Sequence, residues 1–348
     1  LFPYTTLFRS VIRGLGRLTG DRSRPRDAQQ CRSIPEGWRR VVGTMNARIT
    51  SSCEAGFARP TITRRQALGA LGLLGFLGSS ALGAEKKKAG GSTKQPGIAL
   101  QLYTLREPAK QDAKGTLKRA ADMGWRYVQW SGMPAMPADQ IRAALDAAGL
   151  KAIAAHVSIE AFEKNFEQEV AFWKTVGARD VAPGGMMKDC LADLAAWKRG
   201  ARRLDELGAK LRAVGMRLSF HNHQMEFERF PGDPRTKWDI LMAETKPQNL
   251  AGELDIAWAL AAGVDPAAIL RQLKNRCPVV HAKDVVPSPA DKKHKLVPLG
   301  QGAVNWKDVF AAGRASGIEW YVYEQDRGDG AVWDFVQASY SWLSRQAL

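Results

Sequence analysis

Four short apolar runs in the C-terminal half of this chain carry a histidine or a carboxylate at or near their ends, and they recur at the spacing of one strand plus one helix. The runs are 217–223 (RLSFHNH), 250–255 (LAGELD), 279–284 (VVHAKD) and 320–324 (WYVYE). The polar residues that close them are His221, Asp255, His281 and Glu324, separated by 34, 26 and 43 residues. A strand with its crossover helix takes roughly 30 residues. Strand ends that recur at this period meet at the C-terminal face of a parallel barrel, where such folds keep their active sites. The pattern predicts an α/β chain folded as a single-domain (β/α)8 TIM barrel with four metal-binding side chains at one mouth.

The rest of the chain supports the count. Residues 97–348 hold eight strand-like runs, at 98–102, 127–130, 152–156, 180–182, 218–222, 250–255, 279–282 and 321–324. Apolar residues recur with helical period between them: Leu117, Ala120, Ala121 and Met123; Ile141, Ala144, Leu145 and Ala148; Phe162, Phe166, Val170 and Trp173. A long helix is expected over 191–214. Gly124, Gly149, Gly177, Gly215 and Gly317 each come shortly before a strand, where a helix C-cap belongs. Long loops are expected at 223–235, with Phe227 and Phe230, and at 285–303, with Gly300-Gln301-Gly302; such loops at a catalytic face commonly cover substrate.

The N-terminal region reads differently. Residues 1–10 resemble translated adapter sequence, 11–44 read as upstream sequence, and Met45 is the expected start. Arg64-Arg65 precede a weakly apolar run, 67–82, diluted by four glycines and followed by small residues. This layout predicts a twin-arginine (Tat) signal over 45–84 and a periplasmic product, with no stable membrane insertion after cleavage. Residues 85–96 (EKKKAGGSTKQP) read as a linker. Residues 1–84 hold 13 arginines, no lysine and 4 acidic residues, so they carry +9 of the formal +16. The remaining +7 is an ordinary solvated surface, without the basic stripe and interleaved aromatics of a nucleic-acid binder. Past residue 84 the cysteines are Cys190 and Cys277, expected to be free and buried.

Two imidazoles and two carboxylates suit one divalent ion of the Mn, Fe, Co or Zn type better than Ca or Mg. His223 shares a strand face with His221, and Glu226 lies just beyond, so either is an alternative fifth-strand ligand or a substrate contact. Lys283 alternates onto the side of His281; beside a metal its pKa is expected to be lowered, making it an acid or base. The other expected partner for Lys283 is Asp284, at the surface. His156 ends the third strand and reads as a substrate hydrogen-bonding or proton-transfer residue, so the catalytic candidates are Glu324, His156 and Lys283. Gln101 and Tyr103 on the first strand, Trp130 on the second, and Trp258 three residues after Asp255 supply polar and aromatic surface suited to a sugar.

At these residues the chain resembles the sugar phosphate isomerase/epimerase family of xylose isomerase-like barrels. The carriers are 98–106 (IALQLYTLR), 155–158 (AHVS), 220–223 (FHNH) with Glu226-Phe227, 253–255 (ELD), 281–284 (HAKD), 300–302 (GQG) and 323–326 (YEQD). The resemblance implies a metal held by strands five to eight and proton transfer beside a carbonyl. Asp255, His281 and Glu324 match three of the family's ligand positions. His221 stands where the family's first glutamate would be, which is similar to relatives that dehydrate or eliminate from keto-cyclitols and 3-keto sugars. Gln129 replaces an acidic residue often seen near the end of the second strand.

The resulting expectation is a metal-dependent sugar isomerase, epimerase or eliminase acting on a non-phosphorylated keto sugar or 3-keto glycoside, supplied by an NAD-dependent sugar oxidoreductase. Gly300-Gln301-Gly302 could offer N–H groups to a phosphate, but Asp326 and Asp329 beside the single Arg327 would repel one. The competing readings are a metal-dependent hydrolase of endonuclease-IV type and a non-catalytic periplasmic sugar-binding barrel. With five histidines in the chain, the first lacks ligands for a multi-metal cluster.

Overall fold

The computed structural model describes residues 95–288, 294–326 and 332–348. The expected signal and linker lie outside these residues, apart from the last two linker positions. The barrel is built within Lys86–Leu348, one of the two units into which the chain divides. Among the described residues no helix is long and apolar enough to cross a membrane.

The described residues form ten strands: β1 Gly97–Gln101, β2 Tyr127–Trp130, β3 Lys151–His156, β4 Asp180–Ala182, β5 Arg217–His221, β6 Ala251–Asp255, β7 Val279–Ala282, β8 Asp284–Val286, β9 Lys295–Val297 and β10 Trp320–Tyr323. Eight of them close a parallel barrel in the order β1, β10, β7, β6, β5, β4, β3, β2. The eight expected strands are all found, and their bounds shift by a residue or so. β7 is buried along its whole length, and so is β6. This is the double-sided burial that a parallel sheet under helices imposes.

The helices form for local reasons that agree with the packing. Asp112, Ser158, Asp193, Thr236, Asp255, Asp265 and Asn305 each sit at an N-cap, where the side chain accepts an otherwise unpaired backbone N–H. The long helix runs Leu194–Ala213 and buries Trp197, Ala201, Leu204, Leu207 and Leu211 on one face. Gly149, Gly177 and Gly317 end their helices in the left-handed conformation, with φ of 71°, 100° and 74°, which a side chain would resist.

The two long loops depart from expectation. The stretch 285–303 contains an antiparallel pair, β8 with β9. Gly300 and Gly302 do not present free N–H groups: both donate to the Asp284 carboxylate, at 2.9 and 3.2 Å. Val285 N–H, Val304 N–H and the Trp306 indole also donate to it. Asp284 therefore binds its own loop and makes no surface pair with Lys283. In the stretch 223–235, Phe227 and Phe230 are buried against Trp238 and Trp197 respectively. Cys190 and Cys277 are free and buried, and burial pushes the Cys277 thiol up to about 12.

Both ends of the barrel carry charge. At the N-terminal end Asp180 opens β4, Arg217 opens β5 and Glu319 precedes β10. Arg217 bonds both carboxylates, while Ser219 Oγ donates to the second oxygen of Asp180 at 3.0 Å.

Candidate active site

At the C-terminal end, neighbouring strands bring Asp255 of β6 opposite His281 of β7, and His221 of β5 opposite Glu253 of β6. His221, Asp255, His281 and Glu324 are all buried, and one ligand atom from each lies within 4.8 Å of the others. Neither His223 nor Glu226 joins this group. Glu226 Oε2 instead accepts the backbone N–H of His223 at 2.8 Å, closing the turn Gln224–Phe227. Burial, reinforced by the charge of Lys283, holds the His223 imidazole down to about 4.

A second group overlaps the first: His156, His221, Glu253 and His281, again within 4.8 Å. Its centre is Glu253, fully buried, which the sequence reading missed. Glu253 Oε1 lies 2.6 Å from His156 Nε2 and 2.9 Å from His281 Nε2, and Oε2 accepts from Gln129 Nε2 at 2.9 Å. The signal was present: in a strand, residues two apart share a face, so Glu253 points the same way as Asp255. Gln129, noted for what it replaces, spans the layer, its Oε1 lying 2.7 Å from His281 Nε2. Burial opposes ionisation of Glu253, but the imidazoles of His281 and His156 outweigh it and hold the carboxyl well below the usual range.

His281 is the hinge between the two groups. Its Nδ1 faces Glu324 Oε2 at 2.8 Å, and its Nε2 faces Glu253 and Gln129. Burial would lower its pKa, yet Glu253 and Glu324 push it up to about 10. His221 behaves oppositely: burial and the neighbouring His281 hold it well below the usual range. Its Nδ1 stands 3.5 Å from Glu253 with no closer hydrogen-bond partner.

Lys283 corrects an expectation. Its ammonium is fully buried and lies 2.8 Å from Asp255 Oδ2, 2.9 Å from Glu324 Oε2 and 2.7 Å from Asp326 Oδ2. Burial favours the neutral amine, but these three carboxylates reverse the effect and raise the pKa well above the usual lysine range. The arrangement favours the charged ammonium. Burial and Glu324 raise Asp326 itself, to about 6. Trp258 donates its indole N–H to Asp326 at 3.2 Å, and the Lys283 ammonium stands 5.5 Å from the centre of its ring.

The first two strands contribute less to the mouth than expected. Gln101 is buried and caps the turn Leu102–Leu105 through Tyr103 N–H. Tyr103 lies in that turn and not on the strand; it is exposed and stacks under Arg106. Trp130 belongs to the hydrophobic core. His156, at the end of β3, keeps partial exposure beside the buried layer. Arg327 and Asp329, weighed against phosphate binding, lie outside the described residues.

A family model described as the xylose isomerase-like TIM barrel matches residues 117–343. The chain belongs to that family. Its relatives include an inosose dehydratase from Lacticaseibacillus casei, 28% identical over 146 residues, which are 38% of this chain and 47% of that protein. An inosose dehydratase from Geobacillus thermodenitrificans is 31% identical over 144 residues, 37% of this chain and 45% of its own. The chain thus matches about half the length of these relatives. A sugar phosphate isomerase/epimerase from Parabacteroides distasonis superposes with a TM-score of 0.61 at 22% identity, over 72% of this chain and 98% of that one. As a member of the xylose isomerase-like barrels, this chain shares their fold while placing a histidine and a buried glutamate, His221 and Glu253, side by side at the inner wall.

Proposed function

We propose that this barrel is a metal-dependent sugar isomerase, epimerase or eliminase that moves a proton beside a carbonyl, acting on a non-phosphorylated keto sugar. The observation that carries the reading is the buried meeting of His221, Asp255, His281 and Glu324 at the barrel mouth. Two imidazoles and two carboxylates in one place fit a divalent ion of the Mn, Fe, Co or Zn type, and buried charges of this kind are kept where they are paired or bind metal. When bound, the ion supplies Lewis acidity to a carbonyl and its neighbouring hydroxyl.

The chain's own residues supply the rest. His156 stands at the end of β3 with one nitrogen anchored on Glu253, so its ring is held in place to accept or return a proton. Glu324 is the second proton-transfer candidate, its carboxyl held well below the usual range by Lys283 and His281 against the effect of burial. The Lys283 ammonium offsets negative charge that develops on substrate oxygen. Trp258 presents an aromatic wall beside it.

Two observations support a substrate without phosphate. The N–H groups of Gly300 and Gly302 are taken by Asp284, and Asp326 adds a carboxylate to the mouth. A keto group at C3 would acidify the C–H at C2, so the same chemistry serves epimerisation or loss of the C1 substituent. An oxidoreductase would then supply the keto sugar. Export to the periplasm belongs to the same reading and rests on Arg64-Arg65 and the run after them.

The test is incubation of Mn2+-loaded protein with 3-keto glucosides in D2O, followed by NMR at C2. Deuterium incorporation at C2, abolished by His156→Ala or Glu324→Gln, is the expected result. Absence of exchange together with turnover of a sugar phosphate would defeat the proposal.

A further inference from the structure

Glu253 and Gln129 lie behind the strand-end donors; Glu253 anchors the His156 ring, and both residues also reach His281. Glu253 is fully buried, and both its oxygens are engaged. The Gln129 amide turns its NH2 toward Glu253 Oε2, at 2.9 Å, which leaves its oxygen facing His281 Nε2 at 2.7 Å. An amide oxygen only accepts hydrogen bonds, so this contact calls for a proton on Nε2; Glu253 Oε1 lies 2.9 Å from the same nitrogen. Glu324 Oε2 faces Nδ1 at 2.8 Å, but Glu324 is itself one of the proposed ligands, so an ion shared by the two would stand in place of a proton between them. A ring protonated at Nε2 then offers its lone pair from Nδ1.

We propose that Glu253 is a positioning residue that orients the Gln129 amide and through it the His281 ring, so that Nδ1 of His281 is the atom presented to a divalent ion. This rests on the metal reading above. It also separates the two overlapping groups of donors. His221, Asp255, His281 and Glu324 form the site, Glu253 belongs to the hydrogen-bonded support behind it, and the proton-transfer residue His156 rests on that support. Metal-bound histidines commonly donate their second N–H to a carboxylate, and loss of that partner weakens binding by about 10- to 100-fold.

The experiment uses the full chain, labelled with 15N-histidine and loaded with Zn2+. Long-range 1H–15N correlation reads the state of each His281 nitrogen, and calorimetry reads Zn2+ affinity. In the unaltered protein Nδ1 carries the metal and Nε2 the proton. Glu253→Gln places a second amide against Gln129 and lets either amide present NH2 to His281 Nε2, which would favour a proton on Nδ1. Zn2+ affinity then falls about 10- to 100-fold with the far-ultraviolet circular dichroism unchanged. The exchange Glu253→Gln with Gln129→Glu restores an acceptor-only group beside His281 Nε2 and recovers most of the affinity; a loss of packing would not be rescued this way. Zinc on Nε2 in the unaltered protein, or unchanged affinity in Glu253→Gln, overturns the proposal and leaves the metal site standing. If Glu253→Gln fails to fold, the ring assignment in the unaltered protein decides alone. If that protein binds neither Zn2+ nor Mn2+, the metal reading falls and this inference with it.

Discussion

The two ends of this barrel hold charge in opposite ways. At the N-terminal end one arginine bridges two carboxylates, Asp180 and Glu319, and Ser219 completes the hydrogen bonding of Asp180. Burial still outweighs Arg217 and raises the Asp180 carboxyl. These groups bond one another in place. At the C-terminal end three carboxylates surround one ammonium, and two histidines press against the same carboxylate layer. Such an arrangement is costly to bury, since each ion loses its hydration. A bound ion would offset that cost at the C-terminal end.

This contrast can be broken first at Lys283. Lys283→Met removes the ammonium from Asp255, Glu324 and Asp326 and leaves their charges facing one another. Breaking a buried pair costs about 3–5 kcal/mol, so the metal-free variant should melt well below the unaltered protein. Asp255 and Glu324 are released at the same time, so saturating Mn2+ should restore much of the lost melting temperature. A variant equally unstable with and without metal would show that those carboxylates are not ligands.

Arg217→Met tests the other end and should have the smaller effect. It leaves Asp180 unpaired in the interior, at a cost of about 1–3 kcal/mol, moderated because the arginine itself is partly exposed. Calorimetric melting should fall accordingly, while Mn2+ stoichiometry stays the same. A loss of metal from this substitution would couple the two ends and undo the comparison.

The barrel was legible in the sequence because its signals are local. Each strand is a short apolar run, the helices before β2, β3, β4, β5 and β10 end near a glycine, and the donors His221, Asp255, His281 and Glu324 interrupt the runs where the strands stop. What stayed illegible depends on residues distant in sequence. Gln129 meets Glu253 across 124 positions and His281 across 152, and an uncharged amide carries no sign of such a role. Lys283 was read beside its neighbour Asp284, but Asp284 is held by the N–H groups of its own loop, and the lysine is surrounded by carboxylates from two other strand ends. That reversal of its pKa could not be seen in a run of four residues. Glu253 was the exception, a local signal eclipsed by Asp255 two positions on.

The proposed chemistry depends on a divalent ion held at the C-terminal mouth by His221, Asp255, His281 and Glu324. Elemental analysis of protein purified without chelator, paired with titration of Mn2+ into the unaltered chain and into Asp255→Asn, tests it most directly. The substitution keeps an oxygen at Oδ1 to cap Trp258 N–H, so the barrel should stay folded. One tightly bound ion per chain is expected, lost in Asp255→Asn. Stoichiometric metal retained by that variant, or none in the unaltered protein under any loading condition, would contradict it.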